Sequence, residues 1–188
     1  KQSDPLFVVG NHTRNWFIQK GFSPKKVVNF PIFIDIPEDR ELSSAPKNEI
    51  RKKYNIPLDA TFAVGASRLT HAKGYDLLIK AVILLCDEVR DKLKILIAGS
   101  GPEKETLTDQ IHKNNLQNCI FLEEWLSPED YKKVVASADF FIHPARFDAF
   151  GGGTLFAMAY GIPVIGSDGA GTVSERIIHD QNGLRYSP

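Results

Sequence analysis

Short apolar runs alternate with segments of helical spacing from Ala60 onward, and this alternation limits the folds open to the chain. The runs predicted as strands are Thr61–Ala66, Leu93–Ala98, Cys119–Leu122, Ala138–Ile142, Ile162–Gly166 and Gly183–Tyr186. The helices predicted between them are Tyr75–Cys86, Glu103–Asn114, Pro128–Ala136 after a Ser127 cap, and a short helix within Ala170–Ile178. Strands and helices in this order predict an α/β fold, a doubly wound parallel sheet with helices on both faces.

The residues before Ala60 have a different organisation. Residues 1–35 do not resemble the start of a domain, and residues 36–59 are predicted to be a linker and a short helix before the main domain, residues 60–188. The elements predicted in the first part are a strand over Phe7–Val9, a helix over Arg14–Lys20 capped by Asn11 or Thr13, and a strand over Val27–Phe30. Residues 36–48 are polar and rich in Pro and Ser, which is typical of a linker, and Glu49–Tyr54 is predicted as the short helix. Both ends look cut, so we expect a fragment of a longer protein.

Composition excludes several classes of partner. The chain has 188 residues, 43% hydrophobic and 24% charged, with a formal net charge of +0. This balance argues against nucleic acid or an anionic membrane as the main partner. No apolar run approaches the ~20 residues that span a bilayer, and no signal peptide is visible, so we expect a cytoplasmic protein. Cys86 and Cys119 lie in apolar contexts without metal-ligand spacing, and we expect both to be reduced, buried thiols.

The stretch from His143 to Asp168 predicts a strand, a loop and a helix that together could bind an anion. His143 and Pro144 close one strand, Gly151–Gly153 open a helix with its body at Thr154–Tyr160, and Gly161 ends that helix. Free backbone amides at a helix N-terminus that follows a parallel strand can bind a phosphate. The alternative is that the glycines only allow close packing, although three in a row exceed that need.

Two other loops follow predicted strands at the edge where such sheets bind ligands. The loop 67–74 carries Arg68 and Lys73, which suit a diphosphate, although solvated surface charge is an equally good interpretation. The turn GSGP at 99–102 is too short for a dinucleotide fingerprint and is better explained as a tight turn. His71 and His143 could face the cleft, whereas His12, His112 and His179 are expected at the surface. The sequence has no HExxH, CxxC or GxSxG motif, so we expect neither a metal site nor a serine nucleophile.

Taken together, these motifs resemble a known family. The order SRLTHAKGYDLLIKA, ILIAGSGPEKETL, SPEDYKKVVASADFFIHPARFDAFGGGTLFAMAYGIPVIGSDGAGTVSERI and NGL is similar to the family-4 retaining glycosyltransferases of the GT-B fold. The match covers roughly residues 60–186 and corresponds to their C-terminal, donor-binding domain, a Rossmann-like half of the GT-B fold. Residues 1–35 resemble the tail of the N-terminal domain and the crossover.

The resemblance implies transfer of a sugar from a nucleotide-sugar, of UDP or GDP type, to an unknown glycan or lipid acceptor in glycan biosynthesis. The nucleotide-sugar is a substrate, and no cofactor or metal is implied. The N-terminal acceptor domain is missing, so the fragment is expected to be inactive alone. Any peripheral membrane contact would be made through that missing domain.

The resemblance also assigns residues. It implies that Arg68 and Lys73 clamp the donor diphosphate and that the backbone amides of Phe150, Gly151, Gly152 and Gly153 meet its distal phosphate. Asp148 takes the place of the first Glu of the E-x7-E motif, which contacts the donor sugar, with a side chain one methylene shorter. Glu124 lies where the family lines the base pocket.

Phe156 is the largest departure, because it stands where the family has the second Glu of E-x7-E, which binds the donor ribose. Losing a hydrogen bond to a charged group costs roughly 1.5–3 kcal/mol, which is about 10- to 100-fold in affinity. Phe156 could instead belong to the packing face of its helix with Met158 and Ala159. The alternative hypothesis is therefore a degenerate, non-catalytic nucleotide-binding or scaffolding module. A nicotinamide-dependent oxidoreductase is disfavoured because the chain has no proper dinucleotide fingerprint.

Overall fold

The computed structural model describes residues 4–34 and 44–188, and within them strands and helices alternate. The strands are β1 (Leu6–Val8), β2 (Val27–Asn29), β3 (Thr61–Ala66), β4 (Leu93–Ala98), β5 (Ile120–Glu123), β6 (Phe140–His143), β7 (Val164–Ser167) and β8 (Gly183–Tyr186). The helices are α1 (Asn11–Gln19), α2 (Ser44–Lys53), α3 (Tyr75–Ile83), α4 (Asp87–Lys92), α5 (Lys104–Lys113), α6 (Pro128–Ala136), α7 (Gly152–Ala159) and α8 (Gly171–Arg176). The predicted α/β class is confirmed.

The main sheet places its strands in the order β5-β4-β3-β6-β7-β8, and every neighbouring pair is parallel. After β3 the chain adds β4 and then β5 on one side. It then returns to the centre and adds β6, β7 and β8 on the other side. This is the strand order of the Rossmann fold, so the predicted doubly wound, Rossmann-like sheet is confirmed. The connections diverge after β3 and β6, which opens a crevice at their carboxyl ends where sheets of this kind bind ligands.

Successive residues of β3 face opposite sides of the sheet and therefore belong to two different hydrophobic cores. Phe62 and Val64 belong to a core shared with α2, α6, α7 and α8, while Ala63 belongs to a second core shared with α3 and α5. All three side chains are fully buried. Burial on both faces explains why the central strands are continuous apolar runs instead of alternating ones.

Most predicted elements of the main domain are present, several with the predicted bounds. β3, β4, α6 and β8 begin and end as expected, and the Ser127 hydroxyl accepts a hydrogen bond from the Asp130 amide at 3.1 Å. β6 and β7 each lie one or two residues later than predicted. α7 begins at Gly152, within the glycine run predicted to open it, and ends at Ala159, one residue before the predicted end. Gly161 has a left-handed φ of 71°, consistent with the predicted helix stop.

The region after α3 differs from the prediction. The helix ends at Ile83 instead of Cys86, and the short helix α4 follows, which was not predicted. Leu84 is 86% exposed, so the apolar pair at 84–85 does not continue the buried face of α3. The prediction of two buried thiols is wrong for Cys86, which is exposed at the start of α4, and is confirmed for Cys119.

The N-terminal elements form a separate two-stranded parallel sheet of β1 and β2, connected by α1. The predicted caps of this helix are wrong, because it begins at Asn11 after Gly10, whose φ is 86°, and no side chain caps it. The Asn11 side chain is engaged elsewhere, since its Oδ1 accepts a hydrogen bond from Asn29 Nδ2 at 3.1 Å.

The predicted linker is partly wrong. Residues 36–43 lie outside the described residues, but 44–48 are helical and belong to α2. This helix is fixed to the main body by Arg51, whose guanidinium donates to the carbonyls of Pro57 and Ala60 and to Asp139 Oδ2, at 2.8, 3.0 and 2.9 Å. These tertiary contacts outweigh the loop-forming composition of the segment.

Candidate functional site

A cavity of about 300 Å³ opens at the carboxyl ends of β3 and β6, where the connections diverge. Its lining combines small residues at the strand ends, the loop after β5 and the start of α7: Ala66, Ser67, Ala98, Trp125, Leu126, Tyr131, His143, Asp148, Gly152 and Gly153. Loop 67–74, loop 143–151 and the glycines at the start of α7, all predicted as site segments, therefore meet at one edge of the sheet.

The start of α7 presents backbone amides that have no hydrogen-bond acceptor. Gly151 caps the helix in the left-handed region with a φ of 84°, and the amides of Gly151–Gly153 donate to no other residue in the described ranges. The Phe150 amide differs, because it donates to Asp148 Oδ1 at 3.2 Å. Helix N-termini of this kind attract anions.

The structure gives a different physical account of each of the three glycines at the start of α7. Gly151 adopts a backbone conformation that other residues rarely accept. A Cβ on Gly153 would lie 2.8 Å from Phe141 Cζ, so this glycine permits close packing. A Cβ on Gly152 would contact only the Phe150 ring, at 3.8 Å, which leaves this part of the helix start open. Packing therefore accounts for Gly153 but not for the whole run.

Lys73, Asp148 and His143 form a compact charged cluster beside the cavity. Asp148 Oδ2 lies 2.5 Å from Lys73 Nζ and 3.1 Å from His143 Nε2. Burial alone would raise the pKa of Asp148, but hydrogen bonds from His143 and Lys73 outweigh it and hold that pKa well below its usual range. Asp148 is therefore a fixed carboxylate at the mouth of the cavity, and Lys73 brings a cation to the same point.

Arg68 lies in the same loop as Lys73 but has a different environment. Its side chain is exposed and forms no ion pair with another residue of the described parts of the chain. The loop backbone is held in place, since the Leu69 amide donates to the Ser100 carbonyl at 2.9 Å. Arg68 is thus a solvated guanidinium on a fixed loop, next to the cavity-lining Ser67 but not itself part of the lining.

The GSGP turn packs against this loop. A Cβ on Gly99 would lie 1.9 Å from the Ser67 carbonyl oxygen, and one on Gly101 would lie 2.3 Å from that of Leu69. Both glycines are therefore needed for the close approach of two backbones, as the tight-turn interpretation predicts.

An ion pair that sequence reasoning missed joins the two loops of the site. Arg146 donates to both carboxylate oxygens of Asp76, at 2.6 and 2.7 Å, and to the His71 carbonyl at 2.9 Å. Asp76 lies in the first turn of α3, next to the loop that carries Lys73. The pair therefore fixes loop 67–74 against loop 143–151.

This pair gives the fold a defined acid sensitivity. The hydrogen bond from Arg146 lowers the pKa of Asp76 to about 2, below the ordinary value of about 3.9 for an unfolded chain. The stabilisation is therefore complete above about pH 5 and is lost as the pH falls through 4 towards 2. We expect Asp76→Asn to lower the free energy of unfolding by about 1–2 kcal/mol at pH 7, and to lower it little at pH 2. Urea unfolding of both proteins at these pH values tests this, and an equal difference at both would contradict it.

Two other predicted site residues do not line the cavity. Glu124 is exposed and ion-paired with Lys104. Phe156 packs against the core that includes α6, and its ring lies between those of Tyr131 and Tyr160, with centroid distances of 4.9 and 5.0 Å. The packing interpretation of Phe156 therefore agrees with its observed contacts.

The three histidines expected at the surface are exposed, and of the two expected to face the cleft only His143 lines the cavity, within the described residues. His12, His112 and His179 are exposed, while His143 is 2% exposed and lines the cavity; His71 is exposed beside Lys73. Across residues 4–34 and 44–188, no group of three or more potential metal ligands occurs. No helix in those ranges is both long and apolar enough to cross a bilayer.

Comparisons with known proteins agree with this architecture. Residues 46–188 match the family model described as "Glycosyl transferases group 1". The chain is 31% identical over 150 residues to the uncharacterized glycosyltransferase MJ1607 of Methanocaldococcus jannaschii, which covers 80% of this chain and 38% of that protein. It is 30% identical over 168 residues to the O-antigen biosynthesis glycosyltransferase WclY of Escherichia coli, covering 88% of this chain and 43% of WclY.

Among solved structures, Anabaena Alr3699/HepE, crystallised in complex with UDP, superposes with a TM-score of 0.86 at 21% identity. The superposition covers 99% of this chain and 50% of HepE. This likeness shows the fold, a Rossmann-like half of the GT-B type. The chain spans half or less of the length of these proteins. Because the family model covers most of its residues, the chain belongs to the group 1 glycosyltransferases.

Proposed function

We propose that residues 60–188 are the donor-binding domain of a retaining, family-4-type glycosyltransferase that uses a nucleotide-sugar. One observation carries this proposal: the unengaged amides of Gly151–Gly153 lie at the same cavity as the Lys73–Asp148 pair. Amides and cations together suit a nucleoside diphosphate, and sheets of this topology generally bind their ligands at this edge.

In this proposal, the cations and the backbone amides stabilise the charge that develops on the leaving diphosphate. Arg68 binds it as a planar fork and Lys73 as a point charge, while the amides at the start of α7 bind the distal phosphate. Asp148 faces the donor sugar, and Glu124 belongs to the loop that lines the base pocket. The nucleotide-sugar, of UDP or GDP type, is a substrate, and the proposal requires no cofactor or metal.

The rest of the reaction belongs to parts outside this chain. Residues 1–35 are proposed as the tail of an N-terminal domain and its crossover, and residues 36–59 as the connection to the donor domain. That N-terminal domain would bind a glycan or lipid acceptor in the cytoplasm and make any peripheral membrane contact. Transfer requires an acceptor domain that closes over the donor, so we expect residues 1–188 alone to bind nucleotide without transferring sugar.

Thermal unfolding with UDP, GDP and their sugar conjugates tests the proposal. At ten times the dissociation constant a ligand stabilises the folded state by about 1.4 kcal/mol, which raises the Tm of a domain of this size by roughly 3–6 °C. We expect such a shift with one base and a smaller shift with the other. No shift with any of these ligands at millimolar concentration would contradict the proposal, and sugar transfer by the isolated chain would contradict the predicted inactivity.

A second candidate function rests on Phe156. Its ring is packed between two tyrosines where the family has a ribose-binding carboxylate, which fits a degenerate module that retains the fold without transfer. Glycosyl transfer by the full-length protein with a panel of donors separates the two candidates. Turnover would exclude the degenerate module, and nucleotide binding without turnover would favour it.

A further inference from the structure

Tyr131 is a cavity-lining side chain to which neither the sequence motifs nor the proposed phosphate site assigns a role. It lies on α6, and its ring packs against Phe156 with a centroid distance of 4.9 Å. Together with Gly152 and Gly153 it lines the cavity of about 300 Å³ at the ends of β3 and β6. Tyr131 of α6 is thus brought to the N-terminus of α7.

The Tyr131 hydroxyl is directed at the first turn of α7. Its oxygen lies 3.3 Å from the point that a Cβ on Gly153 would occupy, and it forms no hydrogen bond with any other residue of the described chain. Burial raises the pKa of Tyr131 to about 12. The group is therefore a neutral O–H donor at physiological pH, placed beside amides that also have no acceptor.

A second residue that lines this cavity has an unpaired polar atom. His143 is 2% exposed, and within the described residues its buried Nδ1 forms no hydrogen bond, while its Nε2 faces Asp148. An unsatisfied buried polar atom costs about 1–3 kcal/mol, and because Nε2 donates to Asp148, Nδ1 is an acceptor that requires a donor such as water. The anionic character of the occupant is indicated instead by the free amides at the positive end of α7.

We propose that Tyr131 Oη donates a hydrogen bond to a phosphate oxygen of the nucleoside diphosphate bound at the first turn of α7. This inference rests on the proposed function and deepens it by adding a donor-binding residue. Phe156 then has a specific part, because its ring holds the Tyr131 ring in place. At the position of Phe156 the family has a carboxylate that binds ribose. In this chain the Phe156–Tyr131 ring pair instead strengthens the binding of phosphate.

Two single variants test the inference. Tyr131→Phe removes the hydroxyl and keeps the ring packed against Phe156. Tyr160→Phe is the matched control, because the Tyr160 ring also packs against Phe156, with a centroid distance of 5.0 Å, but does not line the cavity. Dissociation constants are measured by NMR titration of the chain, once with inorganic pyrophosphate and once with whichever of UDP and GDP the wild type binds more tightly.

We expect Tyr131→Phe to weaken both ligands by about tenfold, the effect of one hydrogen bond to a charged group, and Tyr160→Phe to leave both unchanged. Weakening of the nucleotide alone, with unchanged pyrophosphate affinity, would place Tyr131 at the nucleoside and overturn the inference. Unchanged affinities in Tyr131→Phe would also overturn it while leaving the donor-binding function standing. A wild type that binds neither ligand would overturn both.

Discussion

Replacing Arg51 with methionine is expected to lower the free energy of unfolding by about 3 kcal/mol, because it removes a buried charge that joins three parts of the fold. Arg51 is 5% exposed and connects α2 to the carbonyls of Pro57 and Ala60 and to Asp139. Methionine keeps most of the aliphatic packing but leaves the Ala60 carbonyl and one oxygen of Asp139 without this donor. Thermal unfolding should show a Tm lower by roughly 6–12 °C.

Lys47→Met is the matched control for this variant. Lys47 Nζ pairs with the other oxygen of Asp139 at 3.1 Å, but its side chain is 43% exposed. A solvated pair of this kind contributes less than about 1 kcal/mol, so the control should change Tm by a few degrees at most. Similar losses in the two variants would show that the buried guanidinium has no special role in attaching α2.

The parts of the fold that could be predicted are those in which one local signal decides the structure. β3 and β4 are buried on both faces, so a continuous apolar run gave their bounds correctly. α6 carries its own start signal in Ser127 and Pro128. By contrast, only the second half of α2 was predicted, because its extension over residues 44–48 depends on contacts such as those of Lys47 and Arg51 with Asp139, and no local pattern contains that information.

The candidate site divides in the same way. Gly151–Gly153 and Lys73 could be proposed from sequence because each has a local reason, a helix start or a cation after a strand. The Arg146–Asp76 pair joins residues 70 positions apart, one in a predicted site loop and one in α3, and neither segment contains a signal that points to the other. Tyr131 could not be predicted as a site residue either, because its hydroxyl comes close to Gly153 of α7 only in the folded chain.

Replacing Arg68 and Lys73 together with alanine is expected to abolish the thermal shift by nucleotide, because it removes both cations proposed to bind the diphosphate. Each charge-assisted contact contributes roughly 1.5–3 kcal/mol, so the double variant should bind at least about 100-fold more weakly. At a ligand concentration ten times the wild-type dissociation constant, stabilisation would then fall from about 1.4 kcal/mol to less than about 0.1 kcal/mol. The shift is measured against the Tm of the variant without ligand, because loss of Lys73 removes one of the two side chains that pair with Asp148 in the described part of the chain.

The matched control removes the same two charges elsewhere. Lys80 and Arg90 lie on α3 and α4 and do not line the cavity, and each forms an ion pair within its own helix, with Asp76 and Asp87. Asp76 keeps its two hydrogen bonds from Arg146 when Lys80 is removed. Lys80→Ala combined with Arg90→Ala should retain the full nucleotide shift at low ionic strength. A comparable loss in this control would show that the chain attracts nucleotide through its overall charge. A full nucleotide shift in the Arg68/Lys73 variant would show that neither cation binds the diphosphate. The amides at the start of α7 would then be the main anion-binding groups of the site.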